Sequence, residues 1–305
     1  MEDPEAPVDI RIRVVSEAGG QYPKPIRGNE WQDENMSEKF SRRYLVPEGE
    51  RVDLSTLRTE ETLSLEKDDA KSELANIVGK IAFLQHRLMA EARRSLLIVI
   101  QGRDASGKDG LVRHVMSGLN PAGVRVTNFK VPAGDETEHD YLWRCHARVP
   151  ARGEVGVWNR SHYEDILVPR VKRLVDEEVW RRRYRHIRDF EALLVDEGTR
   201  VAKFYLHVSH DVQRQRLQKR VENPESGWKH NPSDLTDRAI WPLYQEAYED
   251  LLEETSRLHA PWFIIPSDVK WGRDVIFARI LHEILEEMAP QLPEPDESLR
   301  HITVV

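Results

Sequence analysis

The sequence predicts an α/β protein in three layers, with a parallel sheet covered by helices on both faces. From residue 95 onward, short and almost entirely apolar segments alternate with longer amphipathic ones. Strands of that apolar kind are buried on both faces, as in a parallel sheet between helical layers. The predicted strands are Ser95–Gln101, Val124–Val131, Val155–Asn159, Val201–Val208 and Trp262–Pro266.

Helices are predicted before and between these strands, because apolar residues recur there three and four positions apart. The first helix covers roughly residues 64–93 and precedes the first strand. The remaining predicted helices are Lys108–Leu119, Glu138–Val149, Asp176–Glu197, Val212–Val221, Thr236–His259 and Arg273–Met288.

Composition divides the chain into three regions. Residues 1–60 are rich in proline, glycine and charge, with a weak strand pattern at Ile10–Val15, and are interpreted as an extension that wraps the main domain or a neighbouring subunit. Residues 61–290 form the predicted main domain, and residues 291–305 an acidic tail. A polar segment at about 221–236 lies between two late helices, which indicates a mobile lid.

Charge and composition narrow the class of protein. A net charge of −8 argues against general nucleic-acid binding. No segment reaches the ~18 consecutive apolar residues of a membrane helix, and the acidic N-terminus lacks a secretory pattern, so a cytoplasmic protein is expected. The one cysteine, Cys145, is expected to pack in the core.

The segment Ile98–Gly110 contains a phosphate-binding motif. Gly102 is followed after four residues by Gly107 and Lys108, which is the P-loop spacing G-x-x-x-x-G-K-[ST]. A predicted strand precedes the motif and a predicted helix follows it, so its backbone N–H groups and the helix N-terminus are expected to face a phosphate. Gly102, Gly107 and Gly110 would permit close backbone approach, and Lys108 would reach terminal phosphate oxygens.

Two acidic residues depart from the standard motif. Asp109 stands where a Ser or Thr usually binds magnesium, and we interpret it as a favourable charge at the helix N-terminus. Asp104, inside the loop, is the natural magnesium ligand. The strand that normally ends in a second metal-binding Asp ends here in Asn159, so Glu164 or Asp165 would restore the ligand. Asp104 with Glu164 is the predicted magnesium pair.

Four motifs in order resemble the family-2 polyphosphate kinases. They are GRDASGKDG at 102–110, FKVP at 129–132, NRSHYED at 159–165 and ENPESGWK at 222–229. The Asn before Arg-Ser-His-Tyr-Glu is similar to class III, whose members are associated with both nucleoside mono- and diphosphates. The resemblance covers about residues 40–290. Ser226 and Gly227 make this lid tip less charged than the family pattern.

The resemblance implies a three-layer P-loop kinase fold with a helical lid, inorganic polyphosphate as donor, nucleotides as acceptors, and Mg²⁺, with Mn²⁺ as a possible substitute. It also implies a homo-oligomer, usually a tetramer. The charge and composition described above predict no nucleic-acid or membrane partner. Asp104 and Glu164 would act with the metal, and Lys108 and Arg160 would hold the transferred phosphate. The further phosphate-binding residues are Gly102, Arg103, Ala105, Ser106, Gly107, Asp109, Gly110, Lys172, Arg173 and Arg220. The nucleotide or lid residues are Asn159, Arg170, Trp228 and Lys229.

A locally basic stretch at 170–188 is the candidate donor channel. A long polyphosphate must be held by Lys and Arg side chains, and Arg181, Arg185 and Arg188 share one helical face. A solvated helix face is an equal interpretation for each of them. His162 is interpreted as a structural residue rather than a base, and the aromatic residues Trp241, Tyr244 and Tyr248 near the lid as packing residues.

Two other functions remain open at this point. An ATP-dependent nucleoside monophosphate kinase would use the same fold and loop, although Asp109 and the basic stretch favour polyphosphate. A nucleotide-sensing module without turnover is disfavoured, because the sequence has one compact core and no evident effector domain. The preferences for adenine or guanine and for mono- or diphosphates stay undecided.

Overall fold

A computed structural model describes residues 39–224 and 233–295. Within them, five parallel strands form one sheet in the order β2-β3-β1-β4-β5. The strands are β1 (Ser95–Gly102), β2 (Val124–Asn128), β3 (Val155–Asn159), β4 (Thr199–His207) and β5 (Trp262–Pro266). Because β1 is central, the loop that follows it emerges between the loops that follow β3 and β4. The predicted parallel sheet is confirmed, with β3 and β5 at the predicted residues.

The helices of the described residues cover both faces of this sheet, as predicted. They are α1 (Lys67–Glu91), α2 (Lys108–Met116), α3 (Trp143–His146), α4 (Glu164–Val171), α5 (Glu177–Asp196), α6 (His210–Glu222), α7 (Ser233–Ala239), α8 (Trp241–Thr255) and α9 (Lys270–Met288).

Side chains of β1 alternate between the two helical layers. Leu96, Ile98 and Ile100 belong to the core formed with α1, α2 and α9. Leu97 and Val99 belong to the core formed with α4, α5 and α8. All five are completely buried, which explains why the strand reads as one apolar run.

Two predicted helices differ from the structure. The segment Glu138–Val149 is helical only at α3, because Asp140 accepts a hydrogen bond from the Leu142 amide and forms a turn instead. The segment Thr236–His259 divides into α7 and α8 at Ile240. Pro242 lies in the first turn of α8, where its missing N–H is tolerated, so it favours the start of a new helix.

The described part of the N-terminal extension packs along the edge of the sheet. Val46 donates its amide to Trp262 O at 2.9 Å, and Leu45 forms an antiparallel bridge with Phe263. Further on, the Thr59 hydroxyl donates to Asp268 Oδ2 at 2.7 Å. The extension therefore covers the edge of β5, as wrapping would require, whereas the strand predicted at Ile10–Val15 lies outside the described residues.

Cys145 is completely buried among apolar residues, which confirms the core-packing prediction. Burial raises the pKa of its thiol to about 12, so the thiol stays protonated and unreactive near neutral pH. Among the described residues, no helix has the length and apolar composition needed to span a membrane.

Candidate active site

The predicted P-loop joins β1 to α2 in the expected strand–loop–helix arrangement. Ala105 adopts a left-handed backbone conformation at φ 59°, and the Ser106 amide donates to Arg103 O at 3.1 Å to close a tight turn. Gly107 has φ 104°, and a Cβ there would lie 1.9 Å from Arg273 Nη1. The backbone conformation therefore favours glycine at 107, and a side chain there would also displace the Arg273 guanidinium. A Cβ at Gly110 would meet only an ordinary contact at 3.8 Å.

Side chains hydrogen-bond the carbonyl oxygens of this loop from behind. Lys108 Nζ donates to Gly102 O at 2.6 Å and to Arg103 O at 3.1 Å. Gln213 Nε2 donates to Asp104 O at 3.0 Å.

Two arginines bind the remaining loop carbonyls. Arg216 Nη1 donates to the carbonyl oxygens of residues 105 and 106 at 3.0 and 3.1 Å. Arg273 Nη1 donates to those of residues 106 and 107 at 3.3 and 3.1 Å. Every carbonyl oxygen from residue 102 to 107 thus accepts a side-chain hydrogen bond. This leaves the amide groups of the loop, apart from the Ser106 amide that closes the turn, to face an anion.

Sequence reasoning missed Gln213, Arg216 and Arg273. Gln213 and Arg216 lie on α6, and Arg273 lies on α9. They are more than 100 residues from the loop in sequence. No local pattern distinguishes them from other polar residues on a helix, so only the tertiary fold reveals them.

Arg160 and Asp104 form an ion pair at the mouth of the loop. Arg160 Nη2 lies 2.5 Å from Asp104 Oδ1. Arg160 directly follows β3 and has φ 60°, a conformation that is uncommon for a residue with a side chain. The carboxyl ends of β1 and β3 therefore bring together two of the four predicted catalytic residues.

Lys108 and Glu164 complete this cluster. Burial, and then the charge of Arg160, lower the pKa of Lys108 to about 8, against the opposing charges of Asp104 and Glu164. Burial raises the pKa of Glu164, Asp104 raises it further, and the charges of Arg160 and Lys108 oppose that shift. These mutual effects show that the four predicted catalytic side chains share one electrostatic environment.

Hydrogen bonds orient the carboxylate of Glu164 and separate it from Asp165. With its amide oriented to satisfy its neighbours, Gln101 donates to Glu164 Oε1 at 2.9 Å and accepts from Ser161. Asp165 instead accepts from the buried Arg144 at 2.9 Å. Of the two acids considered from the sequence, Glu164 is therefore the one in the cluster, and Asp165 belongs to an ion pair behind it.

Asp109 and Asn159, which both differ from the residues usual in a P-loop protein, contact each other. Asn159 Nδ2 donates to Asp109 Oδ1 at 2.7 Å. The sequence interpretation of Asp109 as a helix N-terminal charge is compatible with this contact but did not anticipate it. Asn159 is thus held by the P-loop helix.

The cluster offers carboxylate oxygens as possible metal ligands. Among the described residues, no group of three or more His, Cys, Asp or Glu side chains could hold a metal ion. Two carboxylates, Asp104 and Glu164, nevertheless fit Mg²⁺, which takes one or two protein carboxylates together with water and phosphate oxygens. The donor set contains no sulfur or imidazole, so softer transition metals are not favoured.

Several predicted binding residues point elsewhere. Arg103 is buried, with its guanidinium 3.6 Å from the centre of the Trp241 ring, so only its backbone faces the loop interior. Arg170 pairs with Asp250 at 2.7 Å between α4 and α8. Lys172 pairs with Asp237 on α7 at 3.1 Å. The binding roles predicted for their side chains stay predictions without support from these contacts.

The remaining residues lie around the predicted lid. Arg173 follows α4 with φ 52°, and Arg220 lies in the last turn of α6. Trp228 and Lys229 fall outside the described residues, as does half of the predicted lid, residues 225–232. Tyr244 and Tyr248 are buried in the helical layer, in agreement with their interpretation as packing residues.

Comparisons with known proteins give a consistent result. A sequence profile described as polyphosphate kinase 2 (PPK2) matches residues 64–293. The chain is 47% identical over 265 residues to an AMP/ADP-polyphosphate phosphotransferase of Meiothermus ruber, covering 86% of this chain and 99% of that protein. It is 39% identical over 273 residues to an ADP-polyphosphate phosphotransferase of Rhodopseudomonas palustris, covering 85% and 94%. The solved structure of polyphosphate kinase 2 from Arthrobacter aurescens TC1 is similar, with TM-score 0.81 and 37% identity over 85% of this chain and 93% of that one.

The pKa of Lys108 predicts a pH dependence of anion binding. Only protonated Lys108 attracts phosphate, and its pKa in the ligand-free protein is about 8. The ratio of the wild-type affinity for inorganic pyrophosphate to that of Lys108→Arg, for which the ionisation of the ligand is the same, should therefore be constant below pH 8 and fall above it, by up to about tenfold per pH unit. Calorimetric titration between pH 7 and 10 measures this.

The matched control is Lys108→Arg, whose guanidinium stays protonated over this range. Its affinity should not fall above pH 8. A ratio of the two affinities that stays constant to pH 10 would show that Lys108 does not titrate as the burial of its ammonium implies.

Proposed function

This chain belongs to the polyphosphate kinase 2 family, and we propose that it transfers a phosphoryl group from inorganic polyphosphate to nucleoside mono- and diphosphates. The observation that supports this most is the 47% identity to a relative named for both AMP and ADP. The match covers 86% of this chain and 99% of that relative. An ATP-dependent monophosphate kinase is not favoured, because the relatives compared above are all named for polyphosphate.

The site is suited to phosphoryl transfer by positioning and charge. The transition state of this reaction is loose, and negative charge spreads over three oxygens of the transferred group. The loop amides would bind the donor phosphates, Lys108 would add positive charge from beneath the loop, and Arg160 would stabilise the group in transit. No side chain has to become covalently attached. Asp104 would orient Arg160 through the ion pair between them.

Asp104 and Glu164 would hold Mg²⁺, or Mn²⁺ in its place. When bound, the metal supplies charge neutralisation on the phosphate oxygens. The raised pKa of Glu164 fits this role, because burial disfavours its charged form even beside Arg160 and Lys108, and a bound Mg²⁺ would stabilise that charged form. The Gln101 amide fixes the orientation of the Glu164 carboxylate.

The polyphosphate chain would leave the loop along a basic surface different from the predicted 170–188 stretch. Arg181 pairs with Glu177 and Arg188 with Glu254, so part of the charge of that stretch is already compensated. By contrast, Lys270 lies among other cations. Partial loss of hydration, and then the charges of Arg216, Arg273 and Lys219, lower the pKa of its ammonium group.

A group of cations that repel one another attracts a polyanion. Lys219 and Lys270 are exposed. Arg216 connects them to the loop through its bonds to Ala105 O and Ser106 O. We therefore assign the outgoing donor chain to the surface formed by Arg216, Lys219 and Lys270.

Family resemblance also implies assembly into a homotetramer, and composition predicts a cytoplasmic protein without nucleic-acid partners. These statements stay predictions, as does the role of the lid segment 221–236.

The function is tested by offering AMP, ADP, GMP and GDP separately, with polyphosphate and Mg²⁺, and separating the products by chromatography. We expect ADP and ATP from AMP, and ATP from ADP. Asp104→Asn and Lys108→Ala should each lower the rate by about 10²-fold or more, while circular dichroism and Tm show an intact fold. Product formed only when ATP replaces polyphosphate as donor would favour the monophosphate kinase instead.

The metal assignment is tested by the Mg²⁺ concentration that gives half-maximal rate. In Glu164→Gln this concentration should rise by about 10-fold or more, because a charged oxygen ligand is lost. The matched control is Asp165→Asn, the adjacent acid that pairs with Arg144, and its Mg²⁺ requirement should equal that of the wild type. Equal Mg²⁺ curves for Glu164→Gln and the wild type would contradict the assignment.

The donor path is tested with long and short polyphosphate. Replacing both Lys219 and Lys270 by Ala should raise KM for long chains by about tenfold, from roughly 0.5–1 kcal/mol per exposed ionic contact. KM for a chain of about three phosphates should change little, because such a chain ends within the loop.

The control removes the same number of charges from the other basic surface, with Arg181→Ala and Arg185→Ala together. Its KM for long polyphosphate should stay at the wild-type value. If this control raises KM while the Lys219 and Lys270 variant does not, the donor follows the 170–188 stretch.

A further inference from the structure

A buried polar cluster lies beneath the loop that follows β3. Glu191 of α5 accepts hydrogen bonds at Oε1 from the Tyr163 hydroxyl at 2.8 Å and from His162 Nε2 at 3.2 Å. Its other oxygen, Oε2, accepts from Lys203 Nζ of β4 at 2.5 Å. Lys203 also donates to Tyr163 Oη and to Thr255 O. The four side chains of Glu191, Lys203, His162 and Tyr163 are completely buried.

Aromatic rings enclose the cluster. The His162 ring lies 5.4 Å from that of Trp158 and 5.8 Å from that of Phe190, and the Tyr163 ring lies 5.0 Å from that of Trp262. Charged groups in such surroundings lose their hydration, and a buried ion pair often stabilises a fold no more than apolar side chains of similar size would. Stability alone therefore does not explain this cluster.

One carboxylate oxygen fixes two consecutive residues of the loop. Glu191 Oε1 binds both His162 and Tyr163, so neither ring can turn without breaking a buried hydrogen bond. Tyr163 also donates its amide to Ser161 Oγ at 3.2 Å, and Ser161 bonds with Gln101 of β1. The three residues that follow Arg160 are thus all anchored.

Arg160 itself has an unfavourable backbone conformation. Its φ of 60° is rare for a residue with a side chain, and such conformations persist only where the surroundings determine them. On its N-terminal side, the Arg160 amide donates to Ile100 O at 3.1 Å. On its C-terminal side, hydrogen bonds from the side chains of His162 and Tyr163 converge on Glu191, and Lys203 donates to the Tyr163 hydroxyl. This conformation aims the guanidinium at Asp104.

We propose that Glu191, with Lys203 bound to its second oxygen, is a positioning residue that holds Arg160 in its left-handed conformation beside Asp104. The proposal rests on the function proposed above, in which Arg160 acts on the transferred phosphate. Glu191 touches neither substrate nor metal and works through His162 and Tyr163. A purely structural role would change stability, whereas a positioning role changes kcat through Arg160.

Two sets of substitutions test the proposal. Tyr163→Phe removes one hydroxyl that binds Glu191. Glu191→Met together with Lys203→Met removes both charges, with apolar side chains of similar volume in their place. The matched control is Thr199→Val, which removes a buried hydrogen bond to Ser95 between the same strands β4 and β1, at their opposite ends. The assay is AMP or ADP phosphorylation with polyphosphate, with Tm measured alongside.

We expect kcat to fall by about 10–100-fold in the double methionine variant and by roughly 3–10-fold in Tyr163→Phe, because small displacements of a catalytic group are costly. KM should change by less than about threefold, since the interaction lost is made in the transition state. Thr199→Val should lower Tm and leave kcat unchanged.

A double-mutant cycle shows whether the effect passes through Arg160. In an Arg160→Ala background, the methionine substitutions should change kcat by less than about threefold, because the group that they misplace is already absent. Additive losses would overturn the proposal, and so would a wild-type kcat in Tyr163→Phe, which decides the question if the double variant does not fold. A wild-type enzyme that forms no product from polyphosphate would instead refute the proposed function.

Discussion

The site depends on one electrostatic constraint, which is that the carbonyl dipoles of the P-loop must point away from the anion. Six consecutive carbonyl oxygens, from residue 102 to 107, accept hydrogen bonds from Lys108, Gln213, Arg216 and Arg273. A loop with free carbonyl groups could rotate its peptides and present oxygen to a phosphate. Cations behind the loop oppose that rotation and add positive potential at the same point.

This arrangement makes the anion site a product of the whole fold. Arg216 also donates to the carbonyl oxygens of Ser267 and Asp268, which follow β5, and Arg273 also binds Asp274. The loop after β1 is thus fastened to the segments that follow β4 and β5, while Arg160 reaches it from β3. Because these strands are parallel, their carboxyl ends meet at one edge, and each contributes a different part of the site. All the contacts that hold the P-loop can therefore form only when the sheet is fully assembled.

Whether the sequence predicts a structural feature depends on how far apart along the chain the interacting residues are. The strands and the P-loop were predictable, because an apolar run such as 96–100 and the spacing of Gly102, Gly107 and Lys108 are local signals. Gln213, Arg216, Arg273 and Glu191 were not, since their partners lie far away along the chain. Arg103 and Arg170 illustrate the converse case. A basic residue within or near a motif invites a phosphate-binding role, yet tertiary packing turns one onto Trp241 and the other toward Asp250.

Asp104 and Asp109 are the acidic residues that distinguish this loop from the standard P-loop motif. The contacts that each one makes explain its presence. Asp109 accepts a hydrogen bond from the Asn159 side-chain amide at 2.7 Å, so the carboxylate has a donor and the amide has an acceptor. A carboxylate at 159 would face Asp109 at that distance, and the two negative charges would require a cation or a shared proton between them. With a neutral amide there, no metal is needed at this point. The acids left facing the mouth of the loop are Asp104 and Glu164, beside Arg160 and Lys108. With an amide at 159, the carboxylates that would hold the proposed divalent cation are therefore Asp104 and Glu164 at the mouth of the loop, where a phosphate chain would meet it.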